Sequence, residues 1–220
     1  MAKPAAILDV DGTLVDTNYQ HALAWYRAFR RVGRTLPLWR IHRHIGMGGD
    51  QLVPALTDEA FDEEHGDDAR AAWAEEFAPM LGEVAPVDGA HELLAGLRDD
   101  GVRVVLASSG KPEHVDAFLD LVDGRPVADA WTTSEDVERT KPAPDLLQVA
   151  LEKATDRPED ADVVVVGDST WDFVAAGRFG ARGVALLTGG FSQEELTEAG
   201  AAEVAASLPE VGRLLHRGWR

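Results

Sequence analysis

The chain contains no cysteine, so disulfides, thiolate metal sites and thiol nucleophiles are all excluded, and any bound metal must rest on oxygen or nitrogen. Lysine is nearly as scarce: Lys3, Lys111, Lys141 and Lys153 are the only ones among 220 residues. Apolar runs of membrane-spanning length are also missing, and Met1-Ala2-Lys3-Pro4 leads into Ala5-Ala6-Ile7-Leu8 without a signal-peptide pattern. The expectation is a soluble, cytoplasmic protein with no membrane partner. Positive charge is in deficit, with 21 Lys and Arg against 39 Asp and Glu and a formal net charge of -18. Such a surface repels a phosphate backbone, which argues against sequence-independent binding of nucleic acid. The acidity itself suits solubility, and it makes any local cluster of basic residues informative. Nothing in the composition speaks to oligomeric state.

With 45% hydrophobic residues, the chain can form one α/β core and a small accessory unit. Short branched apolar runs recur at 5–10, 102–107, 163–166 and 183–187. Because polar residues do not alternate within them, these runs suit strands buried on both faces of a parallel sheet. Helical spacing fills the intervals, as at 91–97, 144–151 and 173–179. The alternation predicts an α/β fold with a doubly wound, Rossmann-like parallel sheet. Between residues 16 and 86 the pattern is helical throughout, with helices expected at 21–32, 50–56 and 70–81 and a turn at Gly46-Met47-Gly48-Gly49. The organisation expected is a catalytic core built from 1–15 and 87–220, with an all-helical cap, 16–86, over the C-terminal end of the first strand.

The first strand ends in Asp9-Val10-Asp11-Gly12-Thr13, so two carboxylates emerge where an open α/β sheet binds its ligand. Gly12 permits a sharp turn there. Later strand ends add Ser108-Ser109-Gly110-Lys111 and Gly167-Asp168-Ser169-Thr170-Trp171-Asp172, and Lys141-Pro142 precedes a helix. A nucleophile, carboxylates for a divalent ion, a hydroxyl, an ammonium and an acid/base are the parts that phosphoryl transfer needs.

These segments, in this order, resemble the motifs of the haloacid dehalogenase-like hydrolases, in the helical-cap branch near phosphoglycolate phosphatase and β-phosphoglucomutase-like proteins. The resemblance implies a phosphatase in which Asp9 is the nucleophile and Asp11 the general acid and base. It implies Mg2+ bound by the Asp9 and Asp168 carboxylates and the Asp11 backbone carbonyl, with Asp172 supporting the metal site from behind. Ser108 is then expected to hydrogen-bond the transferring phosphoryl group and Lys141 to neutralise charge between it and Asp9, with Ser109, Gly110 and Lys111 completing the phosphate site. Asp11 must hold a proton part of the time. An acid at that position also argues against dehalogenation. The substrate class implied is a small phosphorylated metabolite such as phosphoglycolate or a sugar phosphate. The alternatives are a phosphosugar mutase like β-phosphoglucomutase, or a regulatory relative without catalysis.

The cap carries Arg27, Arg30, Arg31, Arg34, Arg40, His42, Arg43 and His44. The first four read as a solvated helix face. The segment 39–49 is the expected specificity loop, with Arg43 and His44 as candidate substrate ligands. His21 and Trp25, four residues apart after Thr17, match the β-phosphoglucomutase offsets. Trp25 is expected in the cap core, while His21 fits either the substrate site or the junction of cap and core. The cap arginine that holds a second phosphate in that family has no counterpart, the aligned position being Gly49. The Schiff-base lysine of phosphonoacetaldehyde hydrolase is also absent, because no lysine lies between residues 16 and 86.

Overall fold

A computed structural model of the chain describes residues 3–219. The chain opens with β1 (Lys3–Asp9) and β2 (Val15–Asp16), then runs through α1 (Asn18–Arg31), α2 (Leu38–His42), α3 (Gly49–Leu56) and α4 (Glu59–Phe77) to β3 (Ala85–Pro86). It continues with α5 (Ala90–Asp99), β4 (Arg103–Ala107), α6 (Pro112–Leu121), β5 (Ala130–Thr132) and α7 (Asp145–Ala154). The last part is β6 (Ala161–Gly167), α8 (Thr170–Phe179), β7 (Arg182–Leu186), α9 (Gln193–Glu198), β8 (Ala201–Ala205) and α10 (Leu208–Gly218).

Six strands form one parallel sheet in the order β5-β4-β1-β6-β7-β8. Side-chain alternation sorts its central residues between two hydrophobic layers. Ala6, Leu8, Val104, Leu106, Val164 and Val166 face the layer filled by Leu94 of α5, Phe118 of α6 and Leu215 of α10. Ala5, Ile7, Val105, Ala107 and Val165 face the other, filled by Leu146, Leu147 and Leu151 of α7 and Ala175 and Ala176 of α8. Burial on both sides explains why these strands are continuous apolar runs, each large side chain contributing about 1.5–3 kcal/mol. Because β4 and β6 flank β1 on opposite sides, the chain switches direction at β1, and a crevice opens at the carboxyl ends of the three strands.

The four helices α1–α4 all lie between β2 and β3, which pair antiparallel through Val15 with Pro86 and Asp16 with Ala85. This two-stranded neck was not expected, since two residues per strand leave no periodicity to detect. α4 begins eleven residues before the expected start at 70 and gives way to a 3-10 turn at Ala78–Glu83. Asp58 caps it, accepting from Phe61 N at 2.9 Å. Trp25 lies between Phe29 and Trp73, its ring centroid 5.7 and 5.5 Å from theirs, and is only 4% exposed. Arg27 and Arg31, on the exposed face of α1, pair with Glu75 and Glu76 of α4, while Arg34, past the end of α1, lies over Phe61. Among the described residues, no helix is long and apolar enough to cross a membrane.

Candidate active site

The crevice holds an unusual concentration of buried charge. Lys141 is 2% exposed, and its Nζ donates to Asp9 Oδ1 at 2.5 Å and to Asp172 Oδ1 at 2.8 Å. Asp9 comes from the end of β1, Asp172 from the first turn of α8 and Lys141 from the loop before α7, so three distant segments meet on one ammonium. Asp172 also accepts from Ser169 N at 3.0 Å and Ser169 Oγ at 2.7 Å, closing the first turn of α8. Asp168 accepts from Thr13 Oγ1 at 2.7 Å and Asn18 Nδ2 at 2.6 Å. Gly12, with φ of +81°, is required here twice over: its backbone is left-handed, and a Cβ would lie 2.4 Å from Asp168 Oδ2.

One carboxylate oxygen from each of Asp9, Asp168 and Asp172 lies within 4.8 Å of the others. Three buried acids against one lysine leave surplus negative charge. Burial, opposed by Lys141 and reinforced by Asp172, Asp168 and Asp11, pushes Asp9 well above the usual carboxylate range. Burial and the Asp172 charge push Asp168 up to about 7. An all-oxygen set that resists ionising alone fits a hard divalent cation, which would restore both acids to their charged form.

Asp11 is turned away from this cluster. Its Oδ1 lies 2.9 Å from His21 Nε2 and accepts from Thr17 Oγ1 at 3.2 Å, while Oδ2 accepts from Ser108 Oγ at 2.8 Å. Burial works to raise its pKa, but the His21 and Ser108 hydrogen bonds and the charge of Lys141 prevail and hold it below the ordinary value. Asp11 is therefore ionised in this state, and a proton is favoured there only when the negative charge of a phosphoryl group arrives beside it.

Above the acids lies a cavity of about 260 Å3, lined from the core by Asp9, Asp11, Ser109, Gly110, Lys111 and Lys141 and from the cap by His21, Trp25, Gly49, Arg70 and Trp73. Gly110 N donates to Ser108 Oγ at 2.9 Å, and Lys111 stands immediately before α6, whose N-terminal dipole favours an anion. The hydroxyl of Ser109 is buried without a partner.

The structure thus brings Asp9, Asp11, Ser108, Ser109, Gly110, Lys111, Lys141, Asp168, Asp172 and His21 around one crevice. It does not bring Arg43 and His44 there. Arg43 bonds Gly190 O at 3.1 Å and Glu195 at 3.1 Å, His44 Nδ1 lies 2.9 Å from Arg40 O, and neither lines the cavity. Both sit on the outer seam between cap and core, where Trp171 Nε1 donates to Arg43 O at 3.0 Å. Thr13, Asn18, Thr140 and Arg70 went unnoticed in the sequence. Thr13 and Asn18 follow the first acid pair closely enough to have been suspected. Nothing local marks Arg70, whose stem packs over Gly49, where a Cβ would lie 3.2 Å from Arg70 Cγ.

An open parallel sheet with buried acids at its switch point and inserted helices over them is a hydrolase architecture. Residues 3–180 match the haloacid dehalogenase-like hydrolases, and the chain belongs to this family as an enzyme of its phosphatase type. A hydrolase from Pseudomonas syringae has a similar structure, with a TM-score of 0.87 and 32% identity over 98% of this chain and 99% of that one. Validoxylamine A 7'-phosphate phosphatase of Streptomyces hygroscopicus subsp. limoneus is 29% identical across 83% of this chain and 85% of its own length. Phosphoglycolate phosphatase of Nitrosospira multiformis is 26% identical across 97% and 96%.

Proposed function

We propose that the protein is a cytoplasmic, Mg2+-dependent phosphomonoester hydrolase of small metabolites such as phosphoglycolate or a sugar phosphate, working through an aspartyl-phosphate on Asp9. The observation that carries this reading is the buried ammonium of Lys141, 2.5 Å from Asp9 beside a cluster of acids that one lysine does not neutralise. The division into a core, 1–15 and 87–220, and a cap, 16–86, is part of the proposal and is supported by the helices that lie between β2 and β3. Asp9 and Asp168, with the backbone carbonyl of Asp11, would hold Mg2+, and Asp172 would orient Lys141 behind them. The ion supplies charge neutralisation for the phosphoryl oxygens and keeps Asp9 ionised.

In the first step, an Asp9 oxygen forms a bond to phosphorus as the bond to the ester oxygen breaks, and Asp11 gives its proton to the departing alkoxide. In the second, a water oxygen attacks the same phosphorus, its proton passes to Asp11, and the bond to Asp9 breaks to release phosphate. Ser108 and Lys141 stabilise charge on the phosphoryl group in both steps. His21 holds Asp11 in position. The cavity supports one phosphate site. A mutase needs a second, and Arg70, the one arginine lining the cavity among the described residues, is already paired with Asp62 at 2.7 Å and Asp67 at 3.0 Å. Phosphate release from a panel of phosphate esters, with Mg2+ and with chelator, tests the proposal. No metal-dependent release from any ester, or conversion of a hexose 1-phosphate to the 6-phosphate without release, would overturn it.

A further inference from the structure

The cap touches the core at several places. His21 meets Asp11, and His42 and Arg43 meet Gly189 and Gly190. Another contact falls on Thr140, the residue immediately before Lys141. Gly48 N donates to Thr140 Oγ1 at 3.0 Å, Thr140 N donates to Asp50 Oδ2 at 3.1 Å, and Thr140 Oγ1 donates to Asp50 Oδ1 at 2.5 Å. One threonine, 3% exposed, thus spends its amide, its hydroxyl proton and its hydroxyl oxygen on the cap. The approach is close, since a Cβ on Gly48 would lie 2.3 Å from Thr140 Oγ1.

Asp50 lines the cavity, where a carboxylate facing an incoming anion is unfavourable by itself. Both its oxygens accept from Thr140, and Oδ2 also accepts from Gln51 Nε2 at 2.9 Å, which explains how the charge is tolerated there. The lysine stem is flexible, so the position of Lys141 Nζ depends on how firmly the backbone beneath it is held. We propose that Asp50 and Thr140 form a latch by which the docked cap fixes Lys141, so that Asp50 is a positioning residue for phosphoryl transfer. This rests on the phosphatase reading above. Because the lysine matters most where charge develops, losing the latch lowers kcat more than it raises KM.

The test uses Asp50→Ala, Thr140→Val and Thr140→Ser in the full chain. Asp50→Ala and Thr140→Val are expected to lower kcat by about 10- to 100-fold with KM within about threefold, and to weaken orthovanadate inhibition in parallel. Thr140→Ser, which keeps the hydroxyl, restores both. Amide hydrogen exchange followed by NMR reads the latch without turnover: the Thr140 amide exchanges faster in Asp50→Ala, and the Gly48 amide in Thr140→Val. Wild-type kcat in Asp50→Ala, equal kcat in the two Thr140 variants, or unaltered exchange at both amides overturns the proposal. A wild-type protein inactive on every ester refutes the phosphatase reading instead, while exchange at the two amides still decides the latch.

Discussion

Lys141→Met keeps the length of the side chain and removes its charge, leaving Asp9, Asp168 and Asp172 at 4%, 1% and 1% exposure with no cation among them. Removing one partner of a buried ion pair costs about 3–5 kcal/mol. Total stability of a domain is about 5–15 kcal/mol, so about a fifth or more would be lost. With a urea slope of about 2 kcal/mol/M, the midpoint in chelator at pH 8 falls by about 2 M with the slope unchanged. The deficit also depends on pH in a defined direction. Asp168 is already raised to about 7 against an ordinary 3.8, and losing the lysine raises it further. A carboxyl raised in the folded state contributes stability that is full below pH 3.8 and is lost as pH rises through the folded value. The variant's deficit is therefore larger at pH 8 than at pH 5, where the acids take up protons instead. Saturating Mg2+ recovers part of the loss at pH 8. Equal midpoints for variant and wild type at pH 8 in chelator, or a deficit independent of pH, would refute the electrostatic reasoning.

Asp9→Asn is expected to abolish phosphate release and the acid-trapped phosphoprotein in wild type, and residual turnover within tenfold of wild type would remove Asp9 as nucleophile. Asp168→Asn should eliminate the thermal shift that Mg2+ gives wild type, while in chelator at pH 8 its melting point is no lower, because a carboxyl held up to about 7 by burial is no longer forced to ionise. Calorimetric scans with and without Mg2+ check both parts. Gly46→Ala puts a Cβ 2.3 Å from Ser169 Oγ at a φ of +104°. The strain, about 1–3 kcal/mol, is relieved by lifting the cap loop off the core, so kcat/KM falls while the melting point changes little.

The central strands were legible because burial on both faces leaves only apolar residues in them. β8 was not, since Ala201–Ala205 includes Glu203 and only one branched residue, and β5 is three residues long at the sheet edge. The first half of α4 was hidden for the opposite reason. From Glu59 to Asp68 six of ten residues are acidic, with Phe61 and Gly66 as the few inward positions, so no apolar period announces the helix. Within the site, the residues that motif order carries, Asp9, Asp11, Ser108, Lys141 and Asp168, were visible. Arg70 and Thr140 were not, because their roles arise from tertiary contacts with Gly49 and Asp50 across 21 and 90 positions. Arg43 illustrates the converse. A basic cluster in an acidic chain reads as an anion site, yet Glu195 and the Gly190 carbonyl, far away in sequence, claim its guanidinium.

That same acidity poses a question for an enzyme whose substrate is an anion. At a formal charge of -18, the protein's distant field opposes the approach of a phosphate ester. Screening at physiological ionic strength limits the opposition to roughly 8 Å, so what matters is the charge within reach of the cavity. Two of the four lysines, Lys111 and Lys141, line it, beside the N-terminus of α6. Lys141 has its charge balanced by Asp9 and Asp172, and in the proposed mechanism a cation held by the acids would free its ammonium for the phosphoryl oxygens. Arg70 stays balanced by Asp62 and Asp67 throughout. On the proposed reading the core end of the cavity would become more attractive to an anion once a cation is bound, whereas at the cap end Arg70 is cancelled by Asp62 and Asp67 and Asp50 adds a carboxylate. A substrate with one phosphate on an organic group of little charge is what the proposed function requires, and the cancelled charge of Arg70 is consistent with it.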